Sequence, residues 1–297
     1  MHSRRWDAGE TIAVRGAVSQ SAPMILLAAL LAAAAPSDIV RDAPRSAWVA
    51  VAPENLVVLS TPRGDVVIEL APGFAPAHVA AIRALVRSGA FDGGAVVRVQ
   101  DNYVVQFAAR ENAAPAAAAL PAEYDQPATG AFTPLRHPDS YAAQVGFVGG
   151  WPVARGDGRQ WLVHCYAMVG AGRDMPPSTG DGSELYAVNG QAPRHLDRNI
   201  ALVGRVLEGV DRMAARPRGT ADLGFYATPA ERLEIVSARI ASDIAEGQRP
   251  AFQFLDTDSA SFAAWAKARA NRTDGFFVRP AGAADVCNVM TPVRTRR

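Results

Sequence analysis

"FDGGAVVRVQDNYVVQF", Phe91 to Phe107, sets one arginine among valines. Val96, Val97, Val99, Val104 and Val105 surround Arg98, and Gln106 follows eight residues later. The stretch reads as two β-strands, and such runs bury at least one face. A buried, unpaired guanidinium is costly. Arg98 therefore stands on the solvent face of a half-buried strand, pairs with a carboxylate, or serves a site.

On the N-terminal side, "LVVLSTPRGDVVIELA" gives two strand-like runs around a turn at Pro62–Asp65. Val66, Ile68 and Leu70 alternate there with Val67 and Glu69. "APAHVAAIRALVRSG" carries a helical stripe of Val79, Ile82, Leu85 and Val86, with Pro76 near its start and Gly89 at its end. On the C-terminal side, the Ala/Pro-rich residues 108–142 read as a long loop. "QVGFVGGWPVARGDGRQWLVHCYAMVGAG" reads as a strand, a Gly-rich turn and another strand. "NIALVGRVLEGVDRMAAR" is a strand running into a short helix, and Leu233–Ile240 is a last strand. Many short strands and few helices predict a mainly β fold, a closed barrel capped by helices.

The chain has 297 residues and a net charge of +1, with no basic stripe interleaved with aromatics, so nucleic acid is not an expected partner. "PMILLAALLAAAAP", Pro23–Pro36, is too short to span a bilayer comfortably and fits a secretory h-region, with Arg4, Arg5 and Arg15 upstream. Asp7 and Glu10 spoil a clean basic n-region. An Ala-rich disordered leader and an uncleaved anchor are the alternatives to export; export without stable membrane insertion is the favoured reading. Cys165 and Cys287 are the two cysteines. They exclude a cysteine-only zinc site and leave open a disulfide or buried thiols.

Beyond this point the residues resemble a family. "TPRGDVVIELAPGFAPAHVAAIRALVRSGAFDGGAVVRVQDNYVVQ", "GDGSELYAV" and "HLDRNIALVGRVLEGVD" together resemble a cyclophilin-type peptidyl-prolyl isomerase, in its proteobacterial periplasmic branch. The resemblance implies a cyclophilin-like, closed eight-stranded antiparallel β-barrel with two helices. Around it the chain divides into a leader (1–36), a linker (37–54), the isomerase domain (55–243) and a C-terminal extension (244–297) that packs on the barrel through Phe262, Trp265, Phe276 and Phe277.

The resemblance places Arg98 on the catalytic arginine, Gln106 on the pocket glutamine, Tyr186 on a pocket phenylalanine, Leu196 on a pocket leucine and Val104 on an apolar pocket position. Other positions depart from the family pattern. Val96 replaces an aromatic of the floor, Glu184 a glutamine, His195 a tryptophan, and Ile200 a histidine or tyrosine. The implied activity is peptidyl-prolyl cis-trans isomerisation of exported, proline-containing polypeptides by a monomer, with no cofactor and no metal. A non-catalytic holdase that binds proline segments is the alternative.

Other motifs carry less. "VGAGRD" lacks the third glycine of a dinucleotide fingerprint. His164 and Cys165 are neighbours on a strand and point to opposite faces. Asp181 and Glu184 lack calcium-loop spacing. His78 reads as a surface or satisfied helix residue. His195 reads as an exposed loop histidine, with a titrating pocket residue as the alternative.

Overall fold

The computed structural model describes residues 34–113 and 120–296. Apart from its last three residues, the expected leader lies outside them.

The largest sheet is antiparallel throughout. In spatial order its strands are Leu233–Ile235, Gly94–Gln100, Val104–Ala108, Glu184–Val188, Met168–Ala171, Leu202–Glu208, Val66–Leu70, Leu56–Ser60 and Ser237–Ile240. The first and last of these are consecutive pieces of one strand, broken at Val236. That strand pairs with Gly94–Gln100 before the break and with Leu56–Ser60 after it, so the sheet closes on itself. Counted once, it makes the barrel eight-stranded, as the resemblance implied. Val66, Ile68, Val96, Phe107, Val169, Leu185 and Val203 fill the interior.

The helix Pro76–Arg87 buries Val79, Ile82, Leu85 and Val86, the stripe read from the sequence. His78, on the same helix, is fully buried and satisfied rather than exposed. Its Nδ1 lies 2.7 Å from Glu123 Oε2 and its Nε2 3.1 Å from the Thr179 carbonyl. A short helix, Val210–Ala214, follows strand Leu202–Glu208.

Three features depart from the sequence reading. The region read as a loop and two strands holds a second sheet outside the barrel. Its order is Gln126–Pro127, Arg159–Leu162, Trp151–Gly156, Gln144–Val148 and Thr133–Leu135. Gly149, Gly150 and Gly158 have positive φ and permit its tight returns. Residues 37–54, expected as a linker, instead contribute to the helix Pro36–Asp42 and hold the strand Trp48–Ala50, which pairs with Phe252–Leu255 of the extension. In the extension, the helix Ala260–Ala270 buries Phe262 and Trp265 against the second sheet and the barrel's outer face, but Phe276 is 85% and Phe277 38% exposed. The two phenylalanines meet each other edge-on, centroids 5.2 Å apart, and not the barrel core.

One apolar cluster joins these layers. It takes Val104, Met168, Tyr186 and Leu202 from the barrel, Phe147 and Trp161 from the second sheet, and Phe262 and Trp265 from the extension. Cys165 and Cys287 form a disulfide across it, tying residues 122 apart in sequence.

Candidate active site

Strict alternation along strand Gly94–Gln100 would set Val96 and Arg98 on the same face. The register with Val104–Ala108 shifts between them: Val96 stands opposite Phe107, and Arg98 opposite Gln106. The extra residue, Val97, is a β-bulge that turns Arg98 outward. Val96 is thereby fully buried in the barrel interior. It is not part of the site, which corrects its expected place in the pocket floor.

Gln106 stands in turn opposite Tyr186 on strand Glu184–Val188, so Arg98, Gln106 and Tyr186 form a row across neighbouring strands. Arg98 donates from Nη1 to Gln106 Oε1 at 3.2 Å, from Nη2 to Gln100 Oε1, and from Nε to the carbonyl of Leu223 at 2.7 Å. Its guanidinium carbon lies 4.9 Å from the Phe225 ring centroid and 5.4 Å from that of Tyr103. Burial lowers the Arg98 pKa below the ordinary arginine value, the nearby Arg218 adding to the effect and Tyr103 and Glu184 opposing it. The group stays a cation nonetheless.

Gln106 Nε2 donates to Glu184 Oε1, which fixes the amide with its oxygen toward Arg98. Burial raises the Glu184 carboxyl above the usual range; the Gln106 hydrogen bond opposes this, and Asp174 and Asp181 add to it. Glu184 also borders a cleft of about 280 Å³ lined by Gly172, Arg173, Asp174, Ser178 and Gly180.

Tyr186 is 4% exposed, and burial holds its phenol well above the ordinary value. Its ring lies against Gly170, where a Cβ would overlap it. The hydroxyl lies 2.8 Å from His164 Nε2, and His164 Nδ1 lies 2.9 Å from Asp197 Oδ1. With Asp197 accepting, Nδ1–H donates to it and Nε2 accepts from the tyrosine hydroxyl.

Val104 and Ile200 pack in the same outer cluster as Tyr186. His195 is exposed, and its ring stacks on Tyr103 with centroids 6.0 Å apart. Leu196 ends the same turn, Ala192–Leu196, half-buried. The sequence reading missed Gln100, Tyr103, Leu223 and Phe225. Tyr103 and Gln100 were open to it, since both are close to Arg98 in the same hairpin. Leu223 contributes a backbone carbonyl from 125 residues downstream, for which a sequence has no local sign.

The family described as "Cyclophilin type peptidyl-prolyl cis-trans isomerase/CLD" matches residues 56–240, more than half of the chain. The chain belongs to this family. Over 54 residues, this cyclophilin is 50% identical to a "Probable peptidyl-prolyl cis-trans isomerase" of Brucella suis biovar 1. It is 48% identical to one of Brucella abortus over the same length. Each match covers 18% of this chain and 28% of the relative, so the chain spans little more than a quarter of those relatives' length. Among solved structures, the cyclophilin AquaCyp293 from Hirschia baltica aligns with a TM-score of 0.65 and 26% identity, covering 84% of this chain and 93% of its own. That coverage extends the likeness beyond residues 56–240, so part of the structure outside the barrel has a counterpart there.

Proposed function

We propose that this cyclophilin isomerises X-Pro bonds of exported polypeptides, with Arg98 stabilising the twisted amide. An X-Pro amide rotates over a barrier of about 18–20 kcal/mol. No bond is broken, so the reaction requires no nucleophile, metal or redox group. Twisting removes amide resonance and returns a lone pair to the proline nitrogen. A donor fixed beside that nitrogen binds the twisted state more tightly than either planar state, and this difference is the catalysis.

The observation that carries the reading is the outward Arg98 held by Gln106, Gln100 and the Leu223 carbonyl. Each terminal nitrogen of the guanidinium bears a second N–H that can face substrate. The second N–H of Gln106 Nε2 can hold a substrate carbonyl. Val104, Tyr186, Leu196 and Ile200 would seat the proline ring, with His195 at the rim. A protease-coupled assay on a proline peptide tests the reading, and absence of turnover would count against it.

A specific observation favours the second reading, a holdase without useful catalysis. Val104 and Tyr186 are only 3% and 4% exposed, so little of the apolar floor is open to a proline ring. Binding of proline peptides without turnover in the same assay would support it.

Export is supported by the Cys165–Cys287 disulfide, since such bonds persist in oxidising compartments. Among the described residues, no helix is long and apolar enough to cross a membrane.

A further inference from the structure

After the helix Val210–Ala214 the chain returns across the Arg98 strand as a tight loop, residues 217–226. The loop brackets Arg98 with backbone bonds: Tyr226 N–H donates to the Val97 carbonyl at 2.9 Å, and Gly219 N–H to the Val99 carbonyl at 3.2 Å. Arg98 and Phe225 form an isolated antiparallel bridge between these bonds. The base of the loop is closed by Tyr226, whose ring is buried in the barrel core and whose hydroxyl donates to the Pro217 carbonyl at 2.9 Å.

The tip of the loop is unusual on two counts, and both concern Leu223. Its φ is +56°, a left-handed conformation that is strained for a non-glycine residue. Its side chain is also 63% exposed. Neither feature gains anything for the core. What the strained backbone does achieve is the aim of the Leu223 carbonyl, 2.7 Å from Arg98 Nε. The next residue, Gly224, has φ +80°, and a Cβ there would overlap the Val99 carbonyl oxygen, so the loop lies as close to the strand as a backbone can.

A guanidinium bonded only at its terminal nitrogens keeps freedom about its stem, and that freedom must be lost each time the twisted amide is bound. A bond at Nε and a ring against the guanidinium face remove it beforehand.

We propose that the Pro217–Tyr226 loop is a positioning element for Arg98: the Leu223 carbonyl and the Phe225 ring fix the plane of the guanidinium at its Nε end, while Gln106 and Gln100 fix the other end. The proposal rests on the isomerase reading above. Its residues act through Arg98, and an effect on kcat rather than on substrate affinity is expected.

The test uses the full chain with Gly224→Ala, Tyr226→Phe and Arg98→Ala, measured for kcat and KM on a proline peptide, together with the Arg98 Nε–H signal by heteronuclear NMR. Gly224→Ala should lower kcat about tenfold or more, leave KM within about twofold, and speed exchange of the Nε–H. Tyr226→Phe keeps the ring in the core and deletes only the hydroxyl that closes the loop. It should shift the same readouts in the same direction, with kcat down about threefold, and it decides the matter should Gly224→Ala fail to fold. If Arg98→Ala is inactive while the folded loop variants keep wild-type kcat and Nε–H protection, the positioning proposal alone is overturned. A rise in KM with kcat unchanged also overturns it, because the loop would then be a binding surface. If Arg98→Ala keeps wild-type kcat, the isomerase mechanism falls, and the proposal with it.

Discussion

Val96 and Arg98 are two residues apart on one strand, yet Val96 lies in the barrel interior and Arg98 on the outer face, because the register shifts between them. The bulge assigns them different work. Val96→Ala should open a cavity in the core and cost about 2 kcal/mol, while leaving kcat and KM nearly unchanged. Denaturant unfolding and steady-state kinetics on the same variant check this. A raised KM with unchanged stability would instead return Val96 to the pocket.

The Glu184 carboxyl gives a pH-dependent effect. Its folded pKa is raised above the unfolded one, chiefly by burial. The folded state thus holds the proton to higher pH than the unfolded state, and stability falls as pH rises through that window. Glu184→Gln removes this penalty and still offers an oxygen to Gln106. The variant should be more stable than wild type at neutral pH, and the difference should shrink as pH drops below the ordinary glutamate range. Thermal unfolding across that range shows the trend; a constant or growing difference at low pH would contradict it.

The disulfide between Cys165 and Cys287 closes a loop of over a hundred residues. Reduction, or Cys287→Ser, should destabilise the chain by roughly 2–4 kcal/mol. Unfolding with and without a thiol reductant measures this, and coincident curves would show that the tail is held by packing alone.

Within the extension, Phe262 and Phe276 should behave oppositely. Phe262 is 2% exposed and meets Phe147 edge-on with centroids 4.9 Å apart, whereas Phe276 is 85% exposed. Phe262→Ala should cost about 3–4 kcal/mol and Phe276→Ser less than about 0.5 kcal/mol. Equal losses would mean that Phe276 packs in solution.

The barrel was legible because its strands obey local rules. Alternation in Val66–Leu70, the helical stripe of Val79, Ile82, Leu85 and Val86, and the turn at Pro62–Asp65 each state their own geometry. The second sheet was not legible. Its strands are short, one carries a proline, Pro152, that sequence rules disfavour in a strand, and their partners are fixed by burial against Tyr186 and Phe262, residues distant in sequence. At the site, Arg98 and Gln106 stood out as polar residues in apolar strands. The face each residue takes was hidden, since a bulge leaves no mark in a run of valines. The Leu223 carbonyl was hidden too, because any residue can supply a carbonyl.

Whether the Arg98 guanidinium favours the twisted amide is decided by Arg98→Ala in the proline-peptide assay. The variant should keep a folded barrel with an unchanged far-UV spectrum and show a kcat/KM lower by about a hundredfold or more. A variant that isomerises at the wild-type rate would contradict it.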